Sequence, residues 1–164
     1  VQLHGDESVA YVTDLQLQLA ERRALFIEEN KHQKKKKNKH KISNEKVEII
    51  KVFGVKDTFD FEVLTPYLDV VDSFLFDTKG KERGGNGVQF DWSVLQQYPF
   101  EKPFFLSGGI GLDSVDALQT FLGKPGSKYC FALDVNSKFE TVPGVKKVEE
   151  IKKFKNKVIA KEAK

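Results

Sequence analysis

The stretch VQLHGDES, residues 1–8, decides the fold. VQLHG alternates apolar and polar residues, as a short strand does, and then breaks at once into a helix start. His4 therefore sits at the carboxyl tip of a strand, and Asp6 is placed as the N-cap of a helix carrying Val9, Val12, Leu15 and Leu19. A strand that ends in a chemically useful side chain and feeds directly into a helix is a βα unit. The reading of the rest of the chain turns on whether that unit recurs.

It recurs four times. VEIIKVFGV (47–55), SFLFD (73–77), PFFLS (103–107) and YCFALD (129–134) are short, apolar and strand-like, and each is followed by turn residues and a segment able to be helical. Phe61, Leu64, Tyr67 and Leu68 suggest a short helix before SFLFD. Asp91 is placed to cap WSVLQQY and Asp113 to cap SVDALQTFLG, and Pro143 stands where a helix over GVKKVEEIKKF would begin. Strands alternating with helices argue for a parallel sheet, and strands apolar nearly throughout argue that both faces are covered.

Each strand ends on a residue of chemical interest: His4, Asp77, Ser107-Gly108-Gly109 and Asp134. Polar residues gathered at strand carboxyl ends are the layout of a (β/α)8 barrel. A doubly wound open sheet shares this feature and is the second reading, weakened by the lack of a dinucleotide-type Gly-rich turn after an early strand.

Composition narrows the function classes. The 164 residues are 40% hydrophobic and 31% charged, enough for one domain over residues 1–164 with a sizeable core. No apolar run is long enough to span a bilayer, and nothing at the start reads as a secretory signal. The single cysteine, Cys130, excludes an internal disulfide framework and any multi-cysteine metal site. The expectation is a reduced, cytoplasmic protein without a membrane partner. The formal charge of +3 includes seven lysines packed into residues 31–41 (KHQKKKKNKHK), and without them it becomes −4. That block reads as a solvated insertion. No aromatic residue interleaves its lysines to stack on bases, so no nucleic-acid partner is expected, and His32 and His40 within it read as exposed rather than metal-binding.

Two stretches can carry chemistry. In SGGIGLDS (107–114) the paired Gly108 and Gly109 let backbone N–H groups approach an anion closely, or simply make a tight turn. Asn136 and Ser137 follow the next strand in the equivalent place, where such barrels bind phosphate. In FLFDTKGKERGGNGVQFDW (74–92), Asp77 at a strand tip reads either as a tuned proton donor or as the cap of the next loop. Gly84, Gly85 and Gly87 make that loop pliable enough for a lid. Phe90 and Trp92 read as apolar anchors of the following helix.

VQLHGDE, VDSFLFDTKGKERGGNGVQFDW, FFLSGGI and ALDVNSKFETVPGVKKVEEI, in this order, resemble the phosphoribosylanthranilate isomerase family of tryptophan biosynthesis. The resemblance covers the chain except its lysine-rich insertion. It implies an Amadori rearrangement of N-(5′-phosphoribosyl)anthranilate, a small phosphorylated substrate, to its 1-deoxyribulose phosphate isomer, without metal or organic cofactor. Asp77 would be the general acid and His4 would lie in the active-site pocket. Gly108, Gly109, Asn136 and Ser137 would contribute to the phosphate pocket, and Asp134 would orient substrate.

The resemblance also implies that VQLHG is the fourth of eight strands. The chain then holds strands four to eight of an incomplete barrel, while the family's general-base cysteine belongs to strand one. On that expectation the fragment alone is inactive. The alternative is a non-catalytic partial barrel that self-associates or binds a phosphorylated ligand. Cys130, four residues before Asp134, belongs deep in its strand as a small hydrophobe. Lys138 departs from the family, which often has glycine there, and implies an altered phosphate loop or a cationic supplement.

Overall fold

The computed structural model describes residues 1–33, 46–78 and 90–159. Five strands, β1 (Gln2–Leu3), β2 (Ile50–Val55), β3 (Ser73–Thr78), β4 (Phe104–Leu106) and β5 (Cys130–Leu133), form one sheet in sequential order. Every neighbouring pair is parallel. The five strands are those expected from the sequence, trimmed by a few residues at their ends. The sequential order rules out the switch point of a doubly wound sheet, where the order reverses.

The register assigns each side chain to a face. Leu3, Lys51, Phe74 and Phe104 lie abreast, as do Phe53, Phe76 and Leu106. This face is packed: Phe74, Phe76, Phe104 and Leu106 are fully buried. Edge-to-face aromatic contacts run across it, with Phe76–Phe104 at 5.3 Å, Tyr98–Phe104 at 5.0 Å and Phe53–Phe74 at 5.7 Å between ring centroids. Such pairs each contribute about 0.5–1.5 kcal/mol beyond the area they bury. The opposite face carries Gln2, Ile50, Val52, Leu75, Phe105 and Ala132.

Between β4 and β5 the pairing slips. Phe104 pairs with Cys130 but Phe105 pairs with Ala132, so Phe131 is an extra residue in β5. This is a bulge, and it moves every later residue of that strand to the other face.

The connections differ from expectation in places. Helix α1 (Val9–Gln33) buries Val12 and packs Leu15 and Leu19 against the core, as the periodicity predicts. It runs into the first three residues of the lysine-rich segment, whose remainder, with His40, lies outside the described residues. Its N-cap is Ser8 rather than Asp6: the Tyr11 N–H donates to Ser8 Oγ at 3.2 Å and the Val12 N–H to the Ser8 carbonyl. The segments Phe61–Tyr67 and Trp92–Gln97 are 3₁₀ helices, capped by Asp60 and, as expected, by Asp91, which accepts from the Ser93 N–H at 2.9 Å. Phe90 and Trp92 are buried, as their reading as anchors requires.

Asp113 does not cap the next helix. Ser114 closes that turn instead, its Oγ accepting from the Gly111 N–H at 2.7 Å and donating to the Gly111 carbonyl at 2.9 Å, and α2 (Val115–Leu122) follows. Pro143 does not start a helix either. Pro143 and Gly144 turn a small hairpin of β6 (Glu140–Val142) and β7 (Val145–Lys146), with Gly144 at φ +85°. The last helix, α3 (Val148–Ile159), begins beyond it with Glu149 and Glu150 in its first turn, where acidic residues suit the helix dipole. Phe154 of α3 packs on Phe139 at 5.2 Å, tying the helix to the loop after β5.

Candidate active site

Parity places the sequence-predicted polar residues on one face. His4 is two residues beyond Gln2, Asp77 pairs with Gly54, Ser107 is two beyond Phe105, and Asp134 is two beyond Ala132. All share the face opposite the aromatic layer, at the carboxyl ends of the strands. For Asp134 this depends on the bulge: in a regular ladder that kept Phe131 paired, its side chain would point toward the aromatic layer.

The groups interact. Ser107 Oγ donates to Asp134 Oδ2 at 3.2 Å, and the Asp134 N–H is paired in the sheet with the Leu106 carbonyl at 2.8 Å. Asp77 Oδ1 accepts from the Thr78 N–H at 2.8 Å. Burial, joined by the charge of Asp134, holds the Asp77 carboxyl above its ordinary value, against the hydrogen bonds of Thr78 and Ser107 and the charge of His4. A carboxyl raised by burial and by a second carboxylate keeps its proton further toward neutrality, and so has one to donate to a substrate. His4 is exposed, with Nε2 3.1 Å from Gln2 Oε1.

The glycine turn after β4 lies against the same carboxyl. Gly108 and Gly109 have φ of +95° and +63°. A Cβ on Gly108 would meet Thr78 Oγ1, the Thr78 nitrogen at 2.7 Å and Asp77 Oδ1 at 3.0 Å. The turn can approach β3 only because no side chain intervenes. Thr78 Oγ1 is buried there without a hydrogen-bond partner.

Residues 136–138 are placed differently. Asn136 Oδ1 accepts from Lys146 Nζ, and Ser137 opens a 3₁₀ turn over Ser137–Phe139. Lys138 lies beside Gly111 and pairs with Asp113 at 3.5 Å, so it bridges the loops after β4 and β5. Gly84, Gly85 and Gly87, the expected lid, lie outside the described residues. Cys130 is half-buried at the amino end of β5, and burial pushes its thiol up to about 12, which keeps it protonated and unreactive. No group of three metal-ligating side chains occurs among the described residues. No helix among them is long and apolar enough to cross a membrane.

Sequence reasoning missed the support beneath His4. Lys51 lies on the packed face with its side chain only 4% exposed, donates to the Gly5 carbonyl at 2.8 Å and pairs with Glu7 Oε2 at 3.1 Å. Glu7 Oε1 accepts from the Gly5 N–H, and the Glu7 carbonyl accepts from Tyr67 Oη, both at 2.8 Å. The signal was present: Lys51 is the one charged residue inside the apolar run IIKVF.

A sequential parallel sheet with carboxylates, a hydroxyl and a glycine turn at the carboxyl ends of its strands defines an α/β protein of the barrel type. Two solved structures bear this out. Phosphoribosyl anthranilate isomerase from Thermus thermophilus superposes with a TM-score of 0.61 at 18% identity, over 97% of this chain and 60% of that one. Monomers generated from the dimeric phosphoribosylanthranilate isomerase of Thermotoga maritima superpose with a TM-score of 0.56 at 24% identity, over 98% and 60%. The family profile described as N-(5′-phosphoribosyl)anthranilate (PRA) isomerase matches residues 31–157, and the chain belongs to that family.

Curated relatives agree. An N-(5′-phosphoribosyl)anthranilate isomerase of Parabacteroides distasonis is 37% identical over 120 residues, which are 73% of this chain and 52% of the relative. One of Petrotoga mobilis is 39% identical over 113 residues, 68% and 51% respectively. The chain thus spans about half the length of the curated relatives it matches.

Proposed function

We propose that this chain supplies strands four to eight of a (β/α)8 barrel, as one domain, to a cytoplasmic isomerase acting on N-(5′-phosphoribosyl)anthranilate in tryptophan biosynthesis. The observation that carries the reading is the Asp77 carboxyl, raised by burial and by Asp134 on the face it shares with His4 and Ser107. In the proposed reaction Asp77 gives its proton to the ribose ring oxygen as the bond from that oxygen to C1 breaks. The anthranilate nitrogen supplies the electron pair that forms the C1=N Schiff base. A base from outside strands four to eight then removes the C2 proton, and the resulting enolamine tautomerises to the ketone. The positive-φ turn at Gly108 and Gly109, with Asn136 and Ser137, would hold the substrate phosphate through backbone N–H groups and short polar side chains. Asp134, fixed by Ser107, would orient the sugar hydroxyls.

The reading is tested by Asp77→Asn in the complete protein, followed by steady-state turnover of N-(5′-phosphoribosyl)anthranilate. Loss of a positioned general acid lowers kcat by roughly 10²–10⁴-fold, with KM little changed. Near-normal turnover would remove Asp77 from the acid role. Among the described residues β1 and β5 each leave one edge unpaired, and strand edges invite pairing with a further strand. We propose that the chain expressed alone self-associates through these edges.

A further inference from the structure

Lys138 follows Ser137 in the loop after β5, and its stem crosses to the loop after β4. Its Cβ and Cγ lie 3.3 Å and 3.4 Å from the place a Cβ on Gly111 would take, so the loops meet there because Gly111 has no side chain. The base of the lysine is fixed. Phe139, the next residue, is fully buried against Phe154. Its N–H donates to the Asn136 carbonyl at 3.0 Å, and its carbonyl accepts from the Lys147 N–H at 2.7 Å. The ammonium is not fixed. The Lys138 side chain is 38% exposed and that of its partner Asp113 is 71% exposed. They stand 3.5 Å apart, against the about 2.7–2.9 Å of a charge-assisted hydrogen bond. An exposed, loose ion pair of this kind adds little to stability and is easily exchanged for another.

The turn at Gly108 and Gly109 opens the same loop that Lys138 crosses. The Cα atoms of Gly109 and Gly111 are at most about 7.6 Å apart, within the sweep of a four-carbon stem pivoting over Gly111. Charge favours the move. Backbone N–H groups offer a phosphate only partial charges, and the carboxylates work against it. The charge of Asp134 acts at Asp77, and Asp77 itself becomes an anion once it gives up its proton. Lys138 is the single basic residue in the two loops, 107–114 and 134–139. Lys146, on the hairpin beyond, is already held by Glu140 at 2.7 Å. On the phosphate role given above to the glycine turn, we propose that Lys138 is a binding residue of that site. Its ammonium leaves Asp113 for the substrate phosphate as the phosphate enters, and Asp113 holds it while the site is empty.

The experiment titrates inorganic phosphate calorimetrically into the complete protein. Lys138→Met keeps the stem over Gly111 and removes the charge. It should weaken phosphate about fivefold, the worth of one charged hydrogen bond discounted for exposure. Lys138→Arg, which keeps the charge, should retain most of the affinity. Asp113→Asn should do the opposite and tighten phosphate about twofold, since the ammonium no longer has a carboxylate to leave. In the Lys138→Met background Asp113→Asn should lose most of that gain. Unchanged affinity in Lys138→Met overturns the proposal. So does weakening by Asp113→Asn as well, which would mean that the pair merely ties the two loops together. So does an equal gain from Asp113→Asn in both backgrounds, which would make Asp113 a simple source of repulsion. Failure of the parent itself to bind phosphate is a different result: it removes the glycine turn from the anion site, and Lys138 with it.

Discussion

Lys51 Nζ donates to the carbonyl of Gly5, the residue after His4, at 2.8 Å. A cation buried on the packed face thus holds the loop that carries a histidine on the opposite face. Its charge is met by Glu7, and its ammonium also stands 5.2 Å from the Phe53 ring centroid. Lys51→Met keeps the volume and deletes the charge, leaving Glu7 without its partner. Because Glu7 retains 21% exposure, the loss should fall below the fully buried case, at about 2–3 kcal/mol in urea denaturation. A change under about half a kcal/mol would mean that water replaces Lys51 without cost.

Asp72 and Asp77 should give opposite pH dependences of stability. Burial alone would raise Asp72, but hydrogen bonds from Lys46 and from the Ile49 N–H, the latter at 2.8 Å, outweigh it and hold the carboxyl below its ordinary 3.8. A lowered carboxyl stabilises the fold above pH 3.8, and that contribution is lost as pH falls through the folded value. Asp72→Asn should therefore destabilise at pH 7 and converge on the parent in strong acid.

Asp77 is raised, so the sign reverses. Its stabilising contribution is fully present below pH 3.8 and is lost as pH rises through the folded value, where a half-buried charge must form. Asp77→Asn should be at least as stable as the parent at pH 7, with the gain vanishing near pH 3.5. Denaturant melts at the two pH values decide it. A large destabilisation at pH 7 would assign Asp77 a structural role instead of a chemical one.

Two glycines at positive φ should respond differently to alanine. At Gly108 the new Cβ meets backbone and side chain of Thr78, whereas at Gly144 nothing lies within 4 Å. Gly144→Ala carries only the left-handed penalty of about 1–2 kcal/mol. Gly108→Ala adds a clash with the β3 backbone, so it should cost more stability and also weaken binding of inorganic phosphate. Calorimetric titration with phosphate separates the two. Equal phosphate affinity in both variants would remove the turn from the anion site.

Strand positions and the shared polar face were legible because period-2 alternation and apolar runs survive in single segments such as SFLFD. Caps and turns were less so. Asp6, Ser8, Asp113 and Ser114 are all good cap residues by type, and which one closes a turn depends on where the preceding strand releases the chain. Pro143 fits a helix start and a hairpin turn equally well, and Gly144 at positive φ decided for the hairpin. The Lys51–Glu7 pair joins residues far apart in sequence, so no local pattern could reveal it. The unpartnered Thr78 Oγ1 was likewise invisible, since only packing shows which polar atoms lose water.

The bulge at Phe131 makes counting, rather than chemistry, the constraint on the last strand. Phe131 is 73% exposed and touches mainly Phe105, so by contacts it looks dispensable, and replacing it by another residue should be well tolerated. Removing it should be tolerated as well, because Cys130, Ala132 and Leu133 already pair with Phe104, Phe105 and Leu106, and a strand without Phe131 would continue that ladder with Asp134 on its present face. Closing the slip while keeping the residue is another matter. Phe131 would then pair with Phe105, Leu133 would turn to the polar side and Asp134 to the aromatic layer. The face on which Asp134 stands is therefore set by whether one residue of the strand is left unpaired, a choice that no residue type in the segment records.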